Sequence, residues 1–222
     1  PTPTDMPALD TKASATANEA AAKAKRDALG AACKAGADKV VRLDGATSRV
    51  GYESYKNGNL PVKGKFGKVG GYAVLGAEPA LFFWADVLSL NSGDPVRDAR
   101  LLKLFFEAEK PGNALLTFES DSLAGLGAGG TLPAAGGVIE AKGKLGMHGA
   151  NVPFSIKLKL TKGAKDGAWK AALAEETLLP FDPFALTAPL QAVMEACNHK
   201  SMGTAVKLEF DLNLAAGCAG EG

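Results

Sequence analysis

The sequence predicts a mostly β fold: an eight-stranded antiparallel barrel with a lid helix, an inserted C-terminal helix and an extra N-terminal helix. Three observations predict it. From Val40 onward, apolar and polar residues alternate with period two, the pattern of strands buried on one face. About eight such segments occur, each with one polar face, and it is antiparallel sheets whose outer face meets water. Their number also suits closure, which removes the free edges through which sheets aggregate. A barrel of this size either fills with side chains or holds one small ligand.

The elements follow in order. Residues 1–12 are rich in Pro and Thr and read as an extended tether. Ala13 to Ala35 is built from Ala, Lys, Glu and Arg, all strong helix formers, with Ser14 or Thr16 as the cap and Gly36 as the stop. Its apolar residues are nearly all alanine, so the helix needs a surface to lie on, and the barrel wall is the expected one. The clearest strands are Phe154 to Leu160, with Ser155, Lys157 and Lys159 facing out, and Val206 to Leu214, with Lys207, Glu209, Asp211 and Asn213 facing out. Ile139 to Leu145 and Val62 to Phe66 alternate in the same way. Val50 with Tyr52, Leu81 to Leu90, Leu115 to Ser120, and Trp169 to Leu173 complete the set.

Between two of these strands lies the lid. Asn91-Ser92-Gly93-Asp94-Pro95 is a polar turn, and a short amphipathic helix follows it. Val96, Leu101, Leu102, Leu104, Phe105 and Phe106 share one predicted side, with Arg97, Asp98, Arg100 and Lys103 on the other. Lys110-Pro111-Gly112-Asn113 turns the chain back. Ala124 to Gly137 is a glycine-rich hairpin loop. Its glycine spacing superficially matches a dinucleotide fingerprint, but a strand follows where that motif needs a helix. Thr187 to Lys200 reads as a second helix, with Leu190, Val193, Met194 and Cys197 on one face, flanking or sealing a barrel mouth.

Composition narrows the function. A hydrophobic fraction of 46% is that of a globular protein, and Lys plus Arg (25) nearly balances Asp plus Glu (24), without the basic excess of a nucleic-acid binder. No apolar run approaches the roughly 20 residues needed to span a bilayer. The chain opens on Pro rather than Met, so we expect a removed N-terminal segment: a secretory signal, or the lipid-bearing Cys of a lipoprotein tether. We divide the chain into a tether and helix (1–39), a barrel (40–216) and a short tail (217–222).

No catalytic constellation is legible. There is no Gly-x-Ser-x-Gly elbow, and the only histidines, His148 and His199, lie in separate segments without ligand-spaced partners for a metal. His148 reads as a turn or strand-end residue and His199 as a cap on a helix C-terminus. Asp94, Arg97, Asp98 and Arg100 read as a salt-bridged turn that fixes the lid. A hydrolase or isomerase built on that cluster would require those side chains to face a pocket.

Several motifs, in order, resemble the YceI-like family. Leu43-Asp44, then Ser48-Arg49-Val50-Gly51-Tyr52, looks like its opening strand, with Thr47 where a His is usual. Gly64-Lys65-Phe66 and Gly70-Gly71 follow, then Asp86 and Ser89. Arg97-Asp98-Ala99-Arg100-Leu101, Phe105-Phe106-Glu107 and Leu116-Thr117-Phe118-Glu119-Ser120 resemble the central signature. Gly143-Lys144-Leu145 through Gly149, with Val152-Pro153, completes a likeness over roughly residues 43–216. Leu179 to Phe184 departs from the family's Arg-x-Asp-Phe-Gly segment, and both helices outside the barrel core are additional.

The resemblance implies a lipocalin-like barrel around a long apolar cavity, in a protein secreted to the bacterial periplasm. It implies an isoprenoid or other amphiphilic ligand, a polyprenyl chain or quinone, with no required cofactor. Candidate cavity residues are Phe66, Phe83, Phe105, Phe106, Phe118, Phe154, Ile156, Leu158 and Phe210. The expected function is a non-catalytic carrier; the alternative, motivated by the tether and added helices, is an accessory subunit of a cell-envelope complex. Such an assembly, or a homodimer, is the partner expected besides the lipid.

Barrel closure also bears on the cysteines. First and last strands pair antiparallel, so the start near Val40 shares an end with the finish near Leu214. That pairs Cys33 with Cys218 and leaves Cys197, toward the opposite end, as a buried free thiol.

Overall fold

The structure is a computed structural model and describes residues 9–218. Its centre is one antiparallel sheet that returns on itself. The strands are β1 (Val40–Leu43), β2 (Arg49–Lys56), β3 (Leu60–Phe66), β4 (Val69–Val74), β5 (Ala80–Asp86), β6 (Leu90–Asn91), β7 (Leu115–Ala124), β8 (Gly137–Met147), β9 (Ala150–Lys162), β10 (Ala168–Leu173), β11 (Leu178–Pro180) and β12 (Ala205–Ala216). Among the described residues three α-helices accompany them: α1 (Lys12–Gly36), α2 (Pro95–Arg100) and α3 (Thr187–Ala196).

Twelve strands make eight staves. β1 and β2 lie end to end along β12, Leu43 opposite Leu214 and Glu53 opposite Lys207. β3 and β4 answer them, Phe66 opposite Val50 and Val74 opposite Val40. β5 and β6 share the next position, and β10 and β11 share the position beside β12. The barrel closes where β12 meets β1.

Two sequence expectations change here. β4 was not among the expected strands, because Gly70 and Gly71 remove two side chains from its alternation. Leu81 to Leu90 is not one strand. Asp86 accepts from the Leu88 amide while the Ser89 hydroxyl donates back to the Asp86 carbonyl, and this turn divides β5 from β6.

The connections sort into two ends. One carries the β2–β3 and β8–β9 turns, the lid and α3; the other carries the β4–β5, β7–β8 and β9–β10 connections. At the second end the glycine-rich loop is a hairpin loop, as expected, and is tied to the β4–β5 turn by Gly76 N–H donating to Gly130 O at 3.2 Å. Gly130 has φ +73°, and a Cβ there would sit 1.9 Å from Gly76 O, so both the conformation and the approach need glycine.

α1 lies along the outside of the barrel wall. Asp10 N–H reaches Glu109 near the lid; Asn18 donates to Asp86 Oδ1 and Ala114 O, both at 2.8 Å; Lys25 pairs with Glu119 and stands over the Phe82 ring. Its buried stripe is Ser14, Asn18, Ala22 and Leu29. The expected caps are corrected: Ser14 and Thr16 lie inside the helix, Thr11 holds the cap position without a side-chain bond, and Thr16 donates back to Lys12 O. The helix also starts within the stretch read as a tether, of which residues 1–8 lie outside the described residues.

Cys33 and Cys218 are bonded, with Cα atoms 5.9 Å apart, so α1 is fastened where the barrel closes. Cys197 is free and half-buried rather than buried, since it follows α3 at the rim.

Candidate functional site

The inward side chains leave a cavity of about 220 Å³ that runs from the lid to the glycine-rich loop. On the same scale one water needs on the order of 10–15 Å³. Its wall is almost wholly apolar, and all nine side chains named from the sequence line it. Phe105 meets Phe106 edge-on at 5.0 Å and Phe181 at 4.9 Å; Phe66 packs on Phe106; Phe83 stacks near Phe210 at 6.3 Å; Phe118 meets Phe154. Leu126 and Leu132 of the glycine-rich loop close the far end.

The lid closes the near end. Asp94 caps α2 by accepting from the Val96 and Arg97 amides, which holds its carboxyl below the usual range. After Arg100 the helix widens: Phe106 N–H bonds to Leu101 O and Ala108 N–H to Leu102 O. This wider turn shifts the faces, so the single apolar stripe expected over residues 96–106 does not form. Val96 is exposed, while Arg97, placed on the outer side by the spacing, lines the cavity with Leu101, Phe105 and Phe106. α3 seals the lid from behind with Leu190 and Val193.

The charged cluster is not a salt-bridged turn. Arg97 Nε donates to Ser92 Oγ at 2.8 Å and Nη2 to Ser92 O at 2.9 Å, while Asp98 accepts from the Ser92 amide and hydroxyl. Arg100 Nη1 points to Cys197 Sγ at 3.4 Å. Ser92 therefore does what a direct Arg–Asp pair was expected to do. Both carboxylates are committed to local donors, and of the four residues only Arg97 lines the cavity, so the cluster presents no acid–base pair to it.

The histidines separate in role. His148, at φ +52° in the β8–β9 turn, places Nε2 2.8 Å from Glu107 and Nδ1 3.2 Å from Phe184 O, tying lid, turn and the Asp182–Phe184 segment together. Lys110, then His148, lowers the Glu107 carboxyl. His199 is a cavity residue: its amide bonds Met194 O beyond α3, but its ring lies on the wall. Burial lowers its basicity, and Lys56 and Arg100 add to the effect.

Sequence reading missed the polar side of this site. Tyr52, Ser54 and Lys56 alternate inward along β2 and line the cavity near the lid. The Tyr52 hydroxyl is buried without a hydrogen-bond partner among the described residues, and burial, with Asp98 nearby, pushes it up to about 12. The signal was present in the alternation of β2, which continues inward past Tyr52 through two polar residues. Among the described residues, no helix is long and apolar enough to cross a membrane.

No curated protein matches the chain. Among solved structures, a polyisoprenoid binding domain from Saccharophagus degradans implicated in plant cell wall breakdown aligns with TM-score 0.69 and 18% identity, over 79% of this chain and 98% of that one. Burkholderia cenocepacia BcnA aligns with TM-score 0.56 and 19% identity, over 77% and 98% respectively. These likenesses carry the fold. The YceI-like domain description matches residues 42–214, from the closing strand β1 to the last inward leucine of β12. The chain belongs to the YceI-like domain family.

Proposed function

We propose that the protein is a non-catalytic carrier that holds an isoprenoid-type or other amphiphilic lipid along the barrel axis. The observation that carries this reading is the continuous apolar cavity, walled by aromatic and aliphatic side chains from the lid to the glycine-rich loop. An extended hydrocarbon chain gains dispersion contacts along such a wall and leaves water as it enters. The fold shared with a solved domain described as polyisoprenoid-binding supports the choice of ligand class. The proposed compartment is the periplasm or cell exterior, supported by the Cys33–Cys218 bond, since disulfides persist where the environment is oxidising. The accessory-subunit alternative is motivated by the tether and the added helices; α1 and α3 both pack on the barrel and give it no separate support among the described residues.

The test is native mass spectrometry of the protein isolated from its own organism, followed by solvent extraction. A reproducible mass excess that extraction removes and identifies as lipid is expected. Protein that carries no lipid and takes up none after delipidation would overturn the reading.

A further inference from the structure

The end of the barrel away from the lid carries an unbroken uncharged stretch. None of residues 122–139 is charged; the stretch is bounded by Asp121 and by Glu140, which is engaged by Ser155 and Lys142. In the glycine-rich loop within it, Thr131 is the one polar side chain, and its hydroxyl is spent on Ala128 O. Leu126 and Leu132 line the cavity, while Ala128, Ala134, Ala135 and Val138 are exposed, Val138 by 49%.

A basic flank adjoins this loop. The β9–β10 hairpin runs beside it, with Val138 in register with Lys159, and a Cβ on Gly136 would lie 2.6 Å from Leu160 O. Between residues 158 and 173 the charged side chains are Lys159, Lys162, Lys165, Lys170 and a single acid, Asp166, and all are exposed. Elsewhere on the same wall Lys142 and Lys157 find Glu140 and Glu175. None of the four hairpin lysines is in an ion pair among the described residues; Lys162 stands 6.0 Å over the Trp169 ring instead. Across the loop, around the β4–β5 turn, charges balance: Lys34 and Lys39 against Asp38 and Glu78.

We propose that this end of the barrel is a docking face for an anionic phospholipid bilayer. The glycine-rich loop lies at head-group level, the β9–β10 lysines face the lipid phosphates, and the lid points away from the membrane. Charge complementarity selects the partner. Unpaired cations near a surface of negative potential are each attracted to it, over a range set by the Debye length. A protein partner fits this face less well, because interface cores draw on aromatic residues and arginine and are depleted in lysine. Residues 124–138 and 158–173 expose neither an aromatic side chain nor an arginine. A charge-free loop also suits the interface, where burying an unpaired charge is costly.

The apolar end of the cavity lies under the same loop, behind Leu126 and Leu132. On the carrier reading, that loop alone then separates the hydrocarbon of the bilayer from the barrel axis; the docking face itself does not depend on that reading. Because the loop exposes only small residues and one valine, apolar insertion adds little and the lysines carry most of the attraction.

The experiment is flotation of the full chain with two sets of vesicles, phosphatidylcholine alone and phosphatidylcholine with roughly a quarter phosphatidylglycerol. Binding should appear with the anionic set and fall about tenfold or more as ionic strength rises from about 0.05 to about 0.5 M. At roughly fivefold per lysine, Lys162→Gln with Lys165→Gln should weaken partitioning about twentyfold. Lys142→Gln with Lys144→Gln, the same charge loss higher on the wall, should change it by less than about twofold, and Val138→Asp should weaken it without unfolding the protein, as circular dichroism checks. Equal binding to both sets of vesicles, or equal loss from both lysine pairs, overturns the docking face. Sedimentation equilibrium that shows a dimer broken by the Lys162, Lys165 and Val138 substitutions would assign the face to a second copy of the chain and overturn the bilayer as its occupant. None of these outcomes touches the carrier reading, which native mass spectrometry judges separately.

Discussion

A hydroxyl that folding removes from water without giving it a partner should show itself in alkali. Tyr52 ionises in the unfolded chain at the ordinary value near 10 and in the native protein only at about 12, chiefly because burial disfavours the phenolate. Below pH 10 both states carry the proton and the contribution is complete. Between 10 and 12 the unfolded state alone releases it, so stability falls as pH rises, by on the order of 2–3 kcal/mol over the window. Urea titrations at pH 9 and 11 should reveal this loss, and Tyr52→Phe should flatten that part of the profile; an unchanged slope in the variant rules out Tyr52 as its source. A second residue, Asn18, is buried and gives both hydrogens of its amide to Asp86 and Ala114 O. Asn18→Ala should cost about 1–3 kcal/mol, because it strands a buried carbonyl, and the shift in urea midpoint measures it. Neither role was legible. Alternation gave the cavity side chains of the strands their facing because period two admits only two faces, whereas a hydroxyl's lack of a partner depends on residues distant in sequence.

At the scale of elements, α1 shows why a helix can be placed correctly and still be read as loosely held. Its alanines offer little apolar area, yet it runs from Glu109 at the lid to the Cys33–Cys218 bond at the closing strands. What fixes it is one buried amide, the Lys25 contacts with Glu119 and Phe82, and a covalent bond at its far end, none of which contributes to amphipathicity. The bond itself was legible because closure of an antiparallel barrel dictates which chain ends share a rim. It spans 185 residues, and the chain-entropy account assigns closure of such a loop on the order of 5 kcal/mol. Cys33→Ser with Cys218→Ser should lower the denaturation midpoint and speed amide exchange in α1 more than in β8 and β9. Equal acceleration everywhere would mean that the helix is held by its contacts alone. The lid failed as a sequence reading for a different reason: the wider turn after Arg100 breaks the 3.6-residue phase on which the assignment of faces rested, and so Arg97 and Val96 exchange places.

The whole molecule sets a fold against a void. Eight staves bury their apolar faces on one another, yet the axis stays open, so the native state forgoes dispersion contacts that a filled barrel would have. In the proposed carrier a bound lipid would supply them, and by mass action a lipid at a hundred times its dissociation constant should stabilise the fold by about 2.7 kcal/mol. A side chain that fills the space should stabilise the empty barrel in the same way. Ala171 is 1% exposed, sits in register between Leu160 and Leu212, and lines the cavity toward its glycine-rich end. Ala171→Leu adds three carbons there, worth up to ~2 kcal/mol of burial at roughly 0.8 kcal/mol per methylene where the neighbours need not move. The delipidated variant should melt at or above the delipidated wild type, and lipid should raise the melting temperature of the wild type alone. A variant that folds, gains stability and still takes up a full complement of lipid would place the ligand somewhere other than the barrel axis.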